Sequence, residues 1–308
     1  MEQAQALLPR FEYVGVVLDY EGLRYRPHPD IIHPSVVDTR PLQAGARARY
    51  YMYYAPHDRP GGICLAYADR PEGPWIEYEN NPIIGPEWLP HYSVSHVSSP
   101  HAIWIPEAGR LFLYFHGENP VTRFAHSEDG IHFEYGGVAV QADMFEPGVT
   151  EASYARVHRH EPPGENPHYV MLLMGNHGGT RKVYYARSDD GASWTVRKEA
   201  LIHPPAGYDQ MGPGSLFPWK GRLFIIDYAN REDSPVFDPL SDIYVHEVDP
   251  GFSEVIDRGK LMDYAAAGPE NRRINDPCLV WEGSRVYLFV NVGRRLNQKI
   301  GLAVAELS

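Results

Sequence analysis

The chain repeats itself five times at intervals of about sixty residues, which constrains its fold more than any other feature. The repeated element is a strand, a tight turn and an aromatic. It runs from Leu65 to Trp75, from Phe124 to Phe133 and from Tyr185 to Trp194, with looser copies from Tyr244 to Phe252 and Leu302 to Glu306. With Ala66, Ala125, Ala186, His246 and Ala303 as marks, the steps are about 59, 61, 60 and 57 residues. One such strand-and-turn unit is an ordinary hairpin; five copies at even spacing are a repeat architecture. In the turn, glycine accepts a positive φ, aspartate hydrogen-bonds the turn backbone, and the aromatic packs between neighbouring sheets.

Each repeat opens with a short strand: at His33, at Ser99, at Glu151, at Gly212 and at Asp276. A second apolar strand follows in each, at 50–54, 110–115, 169–174, 222–228 and 285–290. Proline near the first residue of a strand is tolerated there because no ladder donor is needed. Abundant Tyr, Trp and Phe, with Gly and Pro punctuating short apolar runs, favour strands over helices. The expectation is an all-β, five-bladed β-propeller forming a single domain over 1–308. Its blades fall near 31–80, 95–140, 149–200, 210–262 and 273–308. The last repeat has three evident strands, and the orphan strand at 11–18 supplies its fourth, which closes the ring and removes a sheet edge.

Charge narrows the partners. The 40 acidic residues outnumber the 28 Lys and Arg, for a net charge of -12, which argues against a nucleic-acid partner. No window approaches 18 apolar residues and no signal-peptide pattern opens the chain, so a cytoplasmic protein without a membrane partner is expected. Cys64 and Cys278 read as buried thiols, not as a disulfide or a zinc set.

In an antiparallel hairpin the start of the first strand and the end of the second share one edge. Five such edges around one axis converge on one mouth. That brings together His33, Ser99, Glu151, Gly212 and Asp276 with the second-strand ends, which include His57 and Asp58, His116, His177, Arg231 and Arg294. So many titratable groups at one place mark a candidate site. Trp104, Tyr154 and Trp219 are candidates to face this site or to pack between blades.

The repeat length, the Asp-Pro opening at Asp276 and the Ser-x-Asp-Gly turns ending in an aromatic give the chain its resemblance to the five-bladed propeller glycoside hydrolases, the group of families 43, 32, 68 and 117. That resemblance implies a first-blade Asp as base or nucleophile, a second-blade Asp that orients the acid, and a Glu opening the third blade as general acid. Glu151 matches the general-acid position. His33 in the first blade and Ser99, followed by His101, in the second leave two of the three carboxylates unmatched.

Asp276 stands two blades from Glu151 and offers a replacement. At an axial radius of about 5 Å their carboxyls would be roughly 9–10 Å apart, near the spacing of inverting enzymes. The expected function is a glycoside hydrolase or transglycosidase acting on a small oligosaccharide or glycoside by carboxylate acid/base catalysis with inversion. Glu151, Asp276 and His33 are catalytic in this reading; Ser99, His101, His116, His177, Trp104, Tyr154, Arg231 and Arg294 bind substrate; no cofactor is required. Two alternatives stand beside it. One is a lyase in which pocket histidines hold a divalent metal ion and Arg272, Arg273, Arg294 and Arg295 hold an anionic sugar. The other is a non-catalytic sugar-binding propeller.

Overall fold

Continuous apolar runs in the middle of each repeat dictate strands buried on both faces, and the computed structural model, which describes residues 2–42, 45–235 and 237–307, is built from them. A short helix α1 (Glu2–Leu7) precedes β1 (Glu12–Leu18). The first four-stranded unit comprises β2 (Ile32–Asp38), β3 (Tyr50–Ala55), β4 (Cys64–Ala68) and β5 (Ile76–Glu77), and a small hairpin of β6 (Glu87–Trp88) and β7 (Tyr92–Ser93) follows. The second unit is β8 (Ser98–Ile105), β9 (Arg110–His116), β10 (Val121–Ser127) and β11 (Glu134–Gln141). The third is β12 (Ser153–His160), β13 (His168–His177), β14 (Thr180–Ser188) and β15 (Thr195–Val196). The fourth is β16 (Tyr208–Trp219), β17 (Arg222–Arg231), β18 (Ser241–Val248) and β19 (Val255–Met262). Last come β20 (Arg273–Glu282), β21 (Arg285–Arg294) and β22 (Asn297–Glu306).

Within each unit consecutive strands pair antiparallel, and β1 pairs antiparallel with β22, so the N-terminal strand completes the last unit. The fourth and fifth units merge into one eight-stranded sheet through the parallel pairing of Ser241 with Arg273. The all-β class expected from the sequence is what the chain adopts. Among the described residues, no helix is long and apolar enough to cross a membrane.

The apolar residues sort into five clusters, and each lies mainly between two units. Tyr53 and Leu113 belong to the cluster between the first and second, Tyr114 and Leu173 to that between the second and third. Leu172 and Ile225 mark the third against the fourth, and Ile226 and Leu288 the fourth against the fifth. Met52 and Phe289 bring the fifth back against the first. Burying a side chain of this size stabilises by roughly 1.5–3 kcal/mol, so the interfaces between sheets carry most of the stability.

Polar contacts follow the same cycle. The Ala102 backbone N–H donates to Ser35 Oγ (2.8 Å), His101 Nε2 to the Val157 carbonyl (2.8 Å) and His158 Nε2 to the Gly214 carbonyl (3.2 Å). Ser215 Oγ donates to the Pro277 carbonyl (3.2 Å), and the Val36 N–H to Cys278 Sγ (3.3 Å). Both cysteines are buried and free, as their number and spacing implied.

The repeated turns behave as their sequence requires. In Ser127-Glu128-Asp129-Gly130, Asp129 Oδ1 accepts the N–H groups of Ile131 and His132 (both 2.8 Å), and Gly130 takes φ 74°. Asp190 does the same for Ala192 and Ser193. The carbonyls of Gly130 and Gly191 then accept the hydroxyls of Tyr53 (2.7 Å) and Tyr114 (2.6 Å) from the preceding unit. The turn thereby docks one sheet on the next.

Candidate functional site

The first strand of every unit breaks register near its start. The ladder skips between Ile32 and Ser35, Ser98 and His101, Ser153 and Arg156, Gly212 and Ser215, and Asn275 and Cys278. Two residues face one on the partner strand, which is a bulge, and a bulge re-aims side chains. The first inserted residue takes a left-handed φ at His33 (59°), Ser99 (55°), Tyr154 (55°) and Asp276 (52°). Such a conformation costs on the order of 1–3 kcal/mol per non-glycine residue and concentrates at functional sites.

This register corrects the alignment of the openings. Glu151 and Gly212 were set at the bulge position, but Tyr154 and Pro213 occupy it. His33, Ser99 and Asp276 each precede a proline, which marks the bulge; the third unit has no proline there, so its sequence was anchored three residues early. Proline at 213 cannot take a positive φ, and the fourth unit presents no side chain from this position.

The bulges border a cavity of about 1100 Å³, large enough for a small oligosaccharide. His33, Tyr154 and Asp276 line it, with His116 and Arg181. Asp276, buried, has Oδ1 3.1 Å from His33 Nδ1 and Oδ2 2.5 Å from Asn291 Nδ2. Burial alone would push its pKa up, but His33, Arg156 and Arg273 outweigh burial and hold it below the usual carboxylate range. Burial pushes the His33 pKa down despite Asp276, and the His116 pKa well down. Neither ring nitrogen of His33 has an aligned hydrogen-bond partner, nor has His116 Nδ1. The rings of His33 and His116 lie 5.1 and 4.6 Å from that of Tyr154.

Glu151 is also buried, but it is absent from the cavity lining. Arg181 clamps both its oxygens (2.9 and 3.1 Å) and Ser153 Oγ donates to one (2.8 Å). Arg181, which lines the cavity, presents the pair to it.

The remaining predicted residues divide. His33, Asp276, His116 and Tyr154 reach the cavity; Ser99, His101, His177, Trp104, Arg231 and Arg294 lie outside its lining. Ser99 is buried beside it, with Ser98 facing the space instead. His101 follows the bulge by two residues and is tied to the next unit. Trp104 packs in the cluster between the first two units. His177 lies 3.6 Å from Glu146, Arg231 is held by Asp242 and Asp263, and Arg294 by Glu270. Each is engaged by a carboxylate of its own surroundings. Trp219 lies at a separate, shallow pocket beside the N-terminal segment.

Sequence reasoning missed Arg181, Tyr228 and Asp209, all in the cavity lining. Arg181 lies at the start of the third strand of its unit, just past His177. Asp209 lies in a strand that begins earlier than its counterparts, in a register skip between Tyr208 and Gln210. Partial burial, and Glu232 nearby, push its pKa up. Among the described residues, no three His, Cys, Asp or Glu side chains come together in a metal-holding group.

No family model matches the sequence, and a search of curated proteins finds no match. Solved structures do resemble it. A glycosyl hydrolase from Bacteroides ovatus superposes with a TM-score of 0.67 at 15% identity over 98% of this chain and 94% of that one. An α-L-arabinofuranosidase from Podospora anserina, solved with cellotriose, gives 0.66 at 8% identity over 96% of each. A thermostable family-43 glycoside hydrolase gives 0.54 at 16% identity over 68% and 69%. The chain therefore shares its fold, nearly end to end, with glycoside hydrolases.

Proposed function

We propose that the five four-stranded units are the blades of a single-domain β-propeller whose cavity hydrolyses a glycosidic bond. The single observation that carries the reading is Asp276: a buried carboxylate at the edge of a sugar-sized cavity, 3.1 Å from His33 Nδ1 and hydrogen-bonded by Asn291, on a left-handed bulge residue. A carboxylate fixed in this way is ready to take a proton from water as the water oxygen attacks the anomeric carbon.

The leaving oxygen needs a proton, and we assign that role to Asp209. It lines the same cavity from the fourth unit, and its raised pKa keeps it protonated to higher pH than an ordinary aspartate. Glu151, the general acid implied by the family pattern, is clamped as a carboxylate by Arg181 and becomes a positioning residue for that guanidinium. Attack by water gives inversion.

The test is hydrolysis of a panel of aryl glycosides and plant and algal oligosaccharides by wild type and by Asp276→Asn. Turnover that vanishes in the variant, with the inverted anomer released first in the wild type, supports the reading. Turnover unchanged in Asp276→Asn overturns it.

A further inference from the structure

Although the chain is strongly acidic overall, one side of the cavity carries two arginines that make no ion pair among the described residues, with the carboxylates of Asp276 and Asp30 as their nearby counter-charges. Four consecutive-pair arginines border the fifth unit: Arg272 and Arg273 at the start of β20, and Arg294 and Arg295 at the turn between β21 and β22. In each pair one member is neutralised. Arg272 Nε lies 3.1 Å from Asp238 and Arg294 3.6 Å from Glu270, and neither lines the cavity. The other member of each pair, Arg273 and Arg295, does line it.

Neither Arg273 nor Arg295 forms an ion pair with a carboxylate of the described residues at the 4.0 Å limit. Arg273 Nε is in addition buried without any hydrogen-bond partner. Alternation along β20 places Asn275 on the same side as Arg273, and the bulge then turns Asp276 into the same space. The Arg295 backbone N–H donates to Asp238 Oδ1 (3.0 Å), so the carboxylate that neutralises Arg272 also fixes the turn carrying Arg295.

A guanidinium with free donors beside the reacting carboxylate is costly to leave unsatisfied, and it matches the planar, two-oxygen geometry of an anion. The charge of Arg273 helps to lower the Asp276 pKa, but the atoms in contact with the two Asp276 oxygens are those of His33 and Asn291, which leaves the guanidinium donors of Arg273 uncommitted. We infer that the cavity takes an anionic sugar, one bearing a carboxylate or a sulfate ester, whose charged group is bound by Arg273 with Arg295 at the rim. This rests on the hydrolase reading for the fate of the sugar, but not for its recognition.

The experiment compares matched probes: oligogalacturonides and their methyl esters for the carboxylate, and carrageenan oligosaccharides and their desulfated forms for the sulfate. Wild type, Arg273→Gln, Arg273→Lys and Arg295→Gln are assayed for cleavage and for calorimetric binding, with melting temperature as the folding control. The expected result is binding of one charged arm and not its neutral counterpart. Arg273→Gln should raise KM or Kd for it by about tenfold or more, with kcat changed much less and partial rescue by lysine. A purely structural role would lower kcat and melting temperature on charged and neutral probes alike. Cleavage of the neutral forms in preference overturns the anion site and leaves the hydrolase reading standing. Charged-arm binding that depends on Arg273 without cleavage supports the anion site and counts against the hydrolase reading. No binding in any arm overturns the inference.

Discussion

Two rings of equivalent residues lie two positions apart in the same strands and differ in backbone strain and in what they face. The deeper ring, Ser35, His101, Arg156, Ser215 and Cys278, reaches across to neighbouring units, each member through at least one bond. The upper ring, His33, Ser99, Tyr154 and Asp276, is strained into left-handed backbone, and several of its polar atoms lack partners. Side chains tied to a neighbouring unit serve the fold, whereas those held at a cost in backbone strain and turned to the cavity serve a ligand. If that division is right, substitutions at the upper-ring residues that line the cavity, His33, Tyr154 and Asp276, change chemistry with little change in stability, and those in the lower ring do the reverse.

The largest effect falls on Asp276. Asp276→Asn keeps the shape and the Asn291 neighbour but removes the charge, and kcat/KM is expected to fall by about a thousandfold or more. Melting temperature, measured alongside, should move by no more than about 2 °C. A collapse in stability at full specific activity would break the comparison outright.

Asp209 comes next, with an expected loss of about a hundredfold in kcat for Asp209→Asn on substrates with poor leaving groups. Because its pKa is raised, the protonated, active form persists to higher pH than in an ordinary aspartate and is lost as pH rises through the shifted value. Activity should therefore decline on the alkaline side in the wild type, and the variant should lack that limb. Aryl glycosides with good leaving groups should be spared.

How much of this was legible in the sequence depends on what each feature rests on. The strand repeat, the Asp-Gly turns and the closing strand at 12–18 were readable because periodicity and turn chemistry are local. His33 and Asp276 were found because a following proline marks the bulge. Tyr154 lacks that mark, so Glu151 took its place in the alignment. Asp209 and Arg181 reach the cavity through a register skip and a strand start, and neither leaves a compositional trace. Which arginine of a pair faces inward is likewise a matter of alternation phase, which the sequence does not number.

The lower ring and its neighbours should set stability. Burial, opposed by the bond to the Gly214 carbonyl, drives the His158 pKa down to about 4. The unfolded chain binds that proton more readily, so the contribution is complete above the unfolded value near 6.5 and is lost as pH falls through about 4. The loss is on the order of 3 kcal/mol at ~1.4 kcal/mol per decade of acidity. Melting curves between pH 7 and 4 should show it, and His158→Gln should flatten that slope. Ser35→Ala, which strands the buried Ala102 N–H, should cost about 1–3 kcal/mol in denaturant titration with kcat/KM unchanged.

The smallest effect is the sharpest test of what backbone strain signifies here. Ser99 carries the same left-handed φ as His33, Tyr154 and Asp276, but it does not line the cavity, and its hydroxyl has no partner. If the strain exists to aim side chains, at Ser99 it aims nothing and survives only because the bulge is common to the units. Ser99→Gly should then relieve the strain, offset by the greater freedom of glycine in the unfolded chain, for a net change within about 1 kcal/mol. Activity should stay within about twofold. A large loss of activity from so small a change would place Ser99 among the working residues and move the boundary between the two rings.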